Sequence, residues 1–273
     1  MTKSFRIILV VLLFSQSMHV IAEVRISSNN VYGYKQGMAL FYDVFQNTDS
    51  NNGAGIVYIW SNSWVSEYLQ PEYAAQLLTS LTEPGYTVFL VYHGSAPMFK
   101  VTDAYADVSL AVDHIADNAH KWGVDRDKLG VMGGSAGGQL ALMLAYDDAL
   151  FADSEHRFSA AVAYYPPVDI RDIVRPAERD DSALNISSEE AAEVSPILFV
   201  SEGDPPTLLI HGDHDDLVPV SNSVRMQAEL TSKAVVNELL VLEGGDHGFR
   251  NNPAHLLEAA QLREAWFERF LLQ

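Results

Sequence analysis

The chain has no cysteine, so no disulfide framework can hold it and its stability must come from its core. The same absence removes a bacterial lipoprotein anchor, which is attached to a cysteine at the cleavage point. Basic residues are scarce. Against 36 Asp+Glu stand only 17 Lys+Arg, for a formal net charge of −19. The imbalance is not carried by an acidic tail. A surface of this sign repels phosphate backbones, which excludes nucleic acid as a partner and argues against a polyanionic substrate. Long apolar runs are also missing. Residues 7–14 form one of eight, too short for a hydrocarbon layer of ~30 Å, and no later stretch reaches spanning length. What is present is a globular composition, 48% hydrophobic and 10% aromatic over 273 residues, enough for one large α/β core or two small ones.

The start of the chain is expected not to belong to that core. Lys3 and Arg6 precede the apolar run, a polar dip follows at Ser15, Gln16 and Ser17, and Val20-Ile21-Ala22 ends the segment. This is the pattern of a secretory signal peptide over residues 1–22 with cleavage after Ala22. Cleavage removes two cations and no anion, making the remainder more acidic still. The expected location is the periplasm or the exterior, with no stable membrane anchor. Asn185-Ile186-Ser187 matches a glycosylation sequon, and is read as chance.

From Glu23 onward strands alternate with helices. Residues 38–45, 55–60, 87–91, 129–132, 160–164, 207–210 and 237–242 read as strands, several of them continuous apolar runs typical of strands buried on both faces. Helical periodicity covers 70–81, 101–118, 135–145, 220–230 and 256–271. Repeated strand–helix units predict a mainly parallel sheet with helices on both faces. No repeat or linker divides 23–273 into two domains. One segment breaks the rhythm: residues 166–206 carry a charged cluster at 175–181 and only a weak helix near 188–193. A stretch of that kind is expected to be a small cap-like insertion over a cleft.

The chemistry centres on Ser135. Gly133-Gly134-Ser135-Ala136-Gly137 is a Gly-x-Ser-x-Gly motif placed directly after a strand and directly before a helix, the context of a nucleophile elbow. The Ala136 N–H, at the helix N-terminus, is one half of an oxyanion hole. No Gly-Lys-Ser/Thr follows, which excludes a phosphate loop. A serine nucleophile needs a base, and the base needs an acid, in the order Ser, Asp/Glu, His for this architecture. Two later strands are followed by suitable loops, His211-Gly212-Asp213-His214-Asp215-Asp216 and Gly244-Gly245-Asp246-His247-Gly248. Of the other histidines, His114, His120, His156 and His255 fall on helices or irregular surface, and His211 is expected to pack or to satisfy a backbone carbonyl. The ligand-rich run 211–216 is the rival metal site. Consecutive ligands on one short loop rarely converge on one ion, so no metal and no cofactor is expected.

With these motifs together the chain resembles the α/β-hydrolase fold, and within it the esterase/lipase group of small carboxylesterases akin to hormone-sensitive-lipase-like and feruloyl-esterase-like enzymes. GVMGGSAGGQLALMLA, PPTLLIHGDHDDLVPV and LEGGDHGF carry the likeness. The resemblance implies hydrolysis of carboxylic esters through an acyl-enzyme, with Asp215 rather than Asp213 or Asp216 as the acid and His247 as the base. It also implies that Trp60-Ser61-Asn62-Ser63-Trp64 stands where relatives carry His-Gly-Gly-Gly-Trp. Asn62 or Ser63 then supplies the second oxyanion donor, and Trp60 and Trp64 help to shape the pocket. The substrate is expected to be a small-molecule or polysaccharide-linked ester. The alternatives are a serine peptidase of the prolyl-oligopeptidase type, or a non-catalytic binding protein on the same fold.

Overall fold

The computed structural model describes residues 24–147, 157–174 and 183–273. The leader expected at 1–22, the charged cluster at 175–181 and His156 lie outside the described residues. Eight strands form one sheet: β1 (Val24–Lys35), β2 (Met38–Asn47), β3 (Gly55–Ile59), β4 (Thr87–Val91), β5 (Leu129–Gly134), β6 (Ala160–Tyr164), β7 (Thr207–Gly212) and β8 (Asn237–Leu242). Their order across the sheet is β1-β2-β4-β3-β5-β6-β7-β8. Pairing is antiparallel from β1 to β2 and from β2 to β4, and parallel from there to β8. The helices are α1 (Pro71–Leu77), α2 (Thr79–Thr82), α3 (Val101–Asn118), α4 (Ala136–Tyr146), α5 (Ser188–Ala192), α6 (Ser221–Ser232) and α7 (Pro253–Leu271).

The period-two alternation of strands divides the apolar residues between two faces. Val57, Ile59, Val131, Ala161 and Leu209 point to the side covered by α3, α4 and α6. Ile56, Val88, Met132, Val162 and Leu208 point to the side covered by α1, α2 and α7. Phe267 of α7 is fully buried there, and burial of a side chain of that size stabilises the fold by about 2–3 kcal/mol. Its ring fills the space that a Cβ on Gly130 of β5 would enter at 2.8 Å. The expected mainly parallel sheet with helices on both faces is therefore present.

Three differences from the sequence expectation have physical causes. Strand β1 has no apolar alternation to announce it: it is an edge strand, mostly half-exposed or exposed, and two register shifts against β2 break its side-chain period. The helix expected over 70–81 is two short helices, because the backbone departs from helical geometry at Leu78. The segment 166–206 is not wholly a covering flap. Val168, Ile170, Ala191 and Val194 are at most 1% exposed and belong to the core on the α4 face. Its short turns and five-residue helix are too brief to show periodicity, although they bury as deeply as any strand.

Candidate active site

Every functional loop emerges at the carboxyl end of a parallel strand, where an open α/β sheet leaves its crevice. Ser135 follows β5. It has φ 53° and ψ −124° and serves as the N-cap of α4, a conformation sparsely populated by non-glycine residues and held only where the surroundings enforce it. The enforcement is visible in the flanking glycines. A Cβ on Gly133 would stand 2.2 Å from the Gly137 carbonyl oxygen, and a Cβ on Gly137 would stand 2.3 Å from the Ile59 carbonyl oxygen. Strand, turn and helix close up only because both positions lack a side chain. The Ser135 N–H is tied to the Tyr164 carbonyl at 2.9 Å.

Loops after β7 and β8 bring two further groups to this hydroxyl. His247 Nε2 lies 3.1 Å from Ser135 Oγ, and His247 Nδ1 lies 2.7 Å from Asp215 Oδ2. The other carboxylate oxygen, Oδ1, accepts the backbone N–H groups of Leu217 at 2.9 Å and Val218 at 2.8 Å. Burial pushes the Asp215 carboxyl up, but hydrogen bonds from His211, His247 and the Val218 N–H outweigh it and hold the group well below the usual carboxylate range. An ionised Asp215 fixes the proton of His247 on Nδ1 and leaves Nε2 as a lone pair facing the serine. Asp213 and Asp216 are both exposed, and Asp213 accepts the Gly244 N–H instead. His211, fully buried, donates from Nε2 to the Val218 carbonyl at 2.8 Å and accepts at Nδ1 from Ser223 Oγ at 2.7 Å. It satisfies a carbonyl, as its place at a strand end indicated. Its Nε2 is also 3.4 Å from Asp215 Oδ2, so it steadies the loop that carries the acid. Among the described residues no group of acidic and imidazole side chains could hold a metal ion.

The Trp60–Trp64 loop is built differently from the sequence expectation. Asn62 and Val65 exchange both backbone hydrogen bonds, each at 2.9 Å, so the Asn62 N–H is engaged and is not an oxyanion donor. Positive φ falls instead on the two corner residues, Ser63 at 50° and Trp64 at 58°. This is the two-residue turn of type I′, which glycine and asparagine normally fill. Among the described residues the Ser63 N–H at the corner has no hydrogen-bond partner, and Ser63 stands in the wall of a cavity of about 750 Å³ that also contains Ser135 and Ala136. Trp64 is 6% exposed and floors that cavity. Trp60 does not line it. Along β3 and its extension Trp60 shares the face of Ile56 and Tyr58, and it packs edge-on against Tyr58 with its Nε1 donating to the Glu67 carbonyl. A period of two alone would put both tryptophans on one face; the turn at Ser63 and Trp64 reverses the chain and carries Trp64 into the cluster on the other side of the sheet.

Two residues that sequence reasoning passed over hold this loop in place. His93, after β4, is 5% exposed; its Nδ1 donates to the Gly94 carbonyl at 2.8 Å, leaving Nε2 to accept from Ser61 Oγ at 2.9 Å. Burial pushes this imidazole below the ordinary histidine value, which keeps Nε2 an acceptor. The Ser61 carbonyl in turn accepts the Gly137 N–H at 3.3 Å. Gln139, fully buried in α4, accepts from Trp64 Nε1 at 2.9 Å and donates to the Val194 carbonyl at 2.8 Å. Position was the available signal for His93: it follows a strand at the same sheet edge as Ser135. Gln139 had none, since a glutamine in an apolar helix discloses its partners only when packed.

Residues 42–230 match the BD-FAE family. Among curated proteins the chain is similar to Esterase LipC of Mycobacterium tuberculosis, 26% identical over 79% of this chain and 58% of that protein. It spans 38%, 45% and 58% of the length of three such relatives from that organism. Among solved structures it superposes on a truncated carbohydrate esterase from gut microbiota with TM-score 0.75 at 20% identity, covering 90% of this chain and 97% of that one. A Thermogutta terrifontis esterase 2 phosphoramylated by tabun gives TM-score 0.74 at 22% identity, covering 93% and 96%. At such identities the superpositions speak for the fold. The family match covers most of the sheet and the nucleophile turn, and this chain accordingly belongs to the BD-FAE family of the α/β-hydrolase fold.

Proposed function

We propose that the protein is a carboxylic ester hydrolase whose nucleophile is Ser135. The carrying observation is the unbroken hydrogen-bond chain from Ser135 Oγ through His247 to the buried Asp215 carboxylate, opening on one cavity. Ser135 Oγ attacks the ester carbonyl while His247 Nε2 takes its proton, and Asp215 stabilises the imidazolium. The tetrahedral oxygen is met by the N–H groups of Ala136 and Ser63. His247 then returns the proton to the departing alcohol, and a water deprotonated by the same imidazole releases the acid from the acyl-enzyme. A fluorophosphonate probe tests the nucleophile directly. It should add one label on the Ser135 peptide of the wild type and none on Ser135→Ala. An unlabelled wild type would turn the reading towards a binding protein without catalysis.

The cavity favours a neutral alcohol part. Its lining includes apolar Trp64, Pro97, Leu184 and Leu217, together with Arg225, which is paired with Asp172 at 2.6 Å and Asp169 at 2.9 Å. A guanidinium satisfied in this way offers polarity without net charge, which suits the hydroxyls of a saccharide. A gut carbohydrate esterase among the superposed structures agrees with that preference. Pro167, Asp172, Ile173, Ala183 and Leu184 of the 166–206 segment also line the cavity, which supports a covering role for that part of it. Export through the 1–22 leader completes the proposal, since such esters are met outside the cytoplasm.

The support of the oxyanion loop has its own expected result. Ser61→Ala removes the Oγ that His93 holds, and the donor at Ser63 loosens with it. A misplaced oxyanion donor costs up to about 10²-fold in kcat. A loss of roughly ten- to a hundredfold is expected with KM nearly unchanged, for Ser61→Ala and His93→Ala alike. Because both act on one contact, the double variant should lose little more than either single one.

A further inference from the structure

A second cavity, of about 170 Å³, lies on the opposite face of the sheet and shares no lining residue with the first. It is bounded by Gly134 and Tyr165 beside the nucleophile turn, by Tyr58 and Tyr164 from the strands, by Phe249, and by Arg263 of α7. Four observations converge on it. Arg263 is 8% exposed, and its Nε has no hydrogen-bond partner among the described residues. Its Nη2 is occupied at the outer side by Ser80 Oγ at 2.7 Å and Glu264 Oε1 at 3.2 Å. The hydroxyls of Tyr58 and Tyr165 form no hydrogen bond among the described residues either, yet neither is sealed from the cavity. No acidic residue lines the space, in a chain whose acids outnumber its bases by two to one.

Burying a guanidinium is costly unless its donors are met. Glu264 meets the outer edge of Arg263 and the Tyr164 hydroxyl interacts with the guanidinium from within, which leaves Nε unmet. The phenols are donors as well: burial raises Tyr58 to about 12 and raises Tyr164 and Tyr165 too, so all three stay protonated at any physiological pH. A group of donors beside a guanidinium whose Nε is unmet, with no carboxylate in the lining, is complementary to a small anion with at least two acceptor oxygens.

We propose that this cavity, lined by Arg263, Tyr58, Tyr164 and Tyr165, is a binding site for a small carboxylate anion, separate from the site at Ser135. One carboxylate oxygen accepts from Arg263 Nε and the other from the phenol hydroxyls, while Phe249, Met132 and Ala259 surround its alkyl end. The site does not depend on the reading of Ser135 as a nucleophile.

Thermal unfolding of the full chain in sodium acetate tests it, with ionic strength held by HEPES, whose anion is too large for the cavity. Acetate should raise Tm along a saturable curve. Ser135→Ala should follow the same curve, because Ser135 lies in the other cavity. Tyr58→Phe removes one donor at nearly constant volume, and Arg263→Lys keeps the charge while losing the Nε geometry. Each should weaken apparent acetate affinity by at least about tenfold. Should Arg263→Lys fail to fold, Tyr58→Phe carries the test by itself. A wild type indifferent to acetate, or a response that survives unchanged in Tyr58→Phe, overturns the proposal and leaves a cavity that holds water only.

Discussion

Ser135→Ala is expected to lower kcat for a short-chain p-nitrophenyl ester by about 10⁴- to 10⁶-fold, with KM within a few-fold of wild type. The size follows from what the substitution removes. Covalent chemistry disappears, while Trp64, the Ala136 N–H and the cavity walls remain to bind the ester. Alanine also fits the turn. The strain at φ 53° is imposed by the contacts of Gly133 and Gly137, which a side chain of one carbon does not disturb, so the variant should unfold near the wild-type temperature. A residual rate within tenfold of wild type would mean that hydrolysis runs through another group. Preferential cleavage of peptide anilides by the wild type would move the assignment to a peptidase.

Asp215→Asn should have the second largest effect, about 10⁴-fold in kcat. Here geometry dictates the outcome more sharply than charge does. The Leu217 and Val218 N–H groups both donate to Oδ1, so the amide of an introduced asparagine must place its oxygen there. Its NH₂ is then forced to the Oδ2 position, 2.7 Å from His247 Nδ1. His247 can meet a donor only by giving up its Nδ1 proton, which moves the proton to Nε2 and points it at Ser135. The imidazole is then the wrong tautomer for a base. Loss of the downfield Nδ1 proton signal in the ¹H spectrum should accompany the kinetic loss. Asp213→Asn and Asp216→Asn, altering exposed residues, should leave the rate near wild type. If either of them reproduced the loss instead, the acid would have been misassigned.

The same variant predicts a change in acid stability. Hydrogen bonds from His211, His247 and Val218 depress the Asp215 pKa in the fold relative to the unfolded chain, against the upward push of burial. A depressed carboxylate favours folding above its unfolded value of ~3.9, and this contribution is lost as pH falls from there through the folded value. Asp215→Asn has no such proton to take up. Its stability should therefore fall less steeply than that of the wild type below about pH 4.

How much was legible in advance differs from residue to residue. Ser135 could be read because two glycines, a strand before and a helix after form one local pattern, and local patterns survive in sequence order. The loops of His247 and Asp215 could be placed because each follows a strand and parallel strands end on one side, while the choice of Asp215 within its loop rested on the resemblance to known esterases. Asn62 and Trp60 show the boundary. Which N–H of the loop is free depends on the exchange between Asn62 and Val65, and which tryptophan faces the cavity depends on the turn that this exchange closes at Ser63 and Trp64. Neither is fixed by residue type. His93 and Gln139 lay beyond it altogether, since their roles consist of contacts with Ser61, Trp64 and Val194, remote in the chain.

The sequence by itself determined the alternation of strand and helix, the turn that strains Ser135, the absence of thiol and disulfide chemistry and the acidity of the chain. These follow from composition and from neighbours within a few residues. Tertiary structure alone decided that Asp215 is buried beside two donors while Asp213 and Asp216 face water, that the glycine-free loop ties up the Asn62 N–H but not that of Ser63, and that Arg263 ends with an unmet Nε against a ring of phenols. In each of these the deciding partner comes from another element of the fold. Burial and hydrogen-bond competition are settled only when those elements pack.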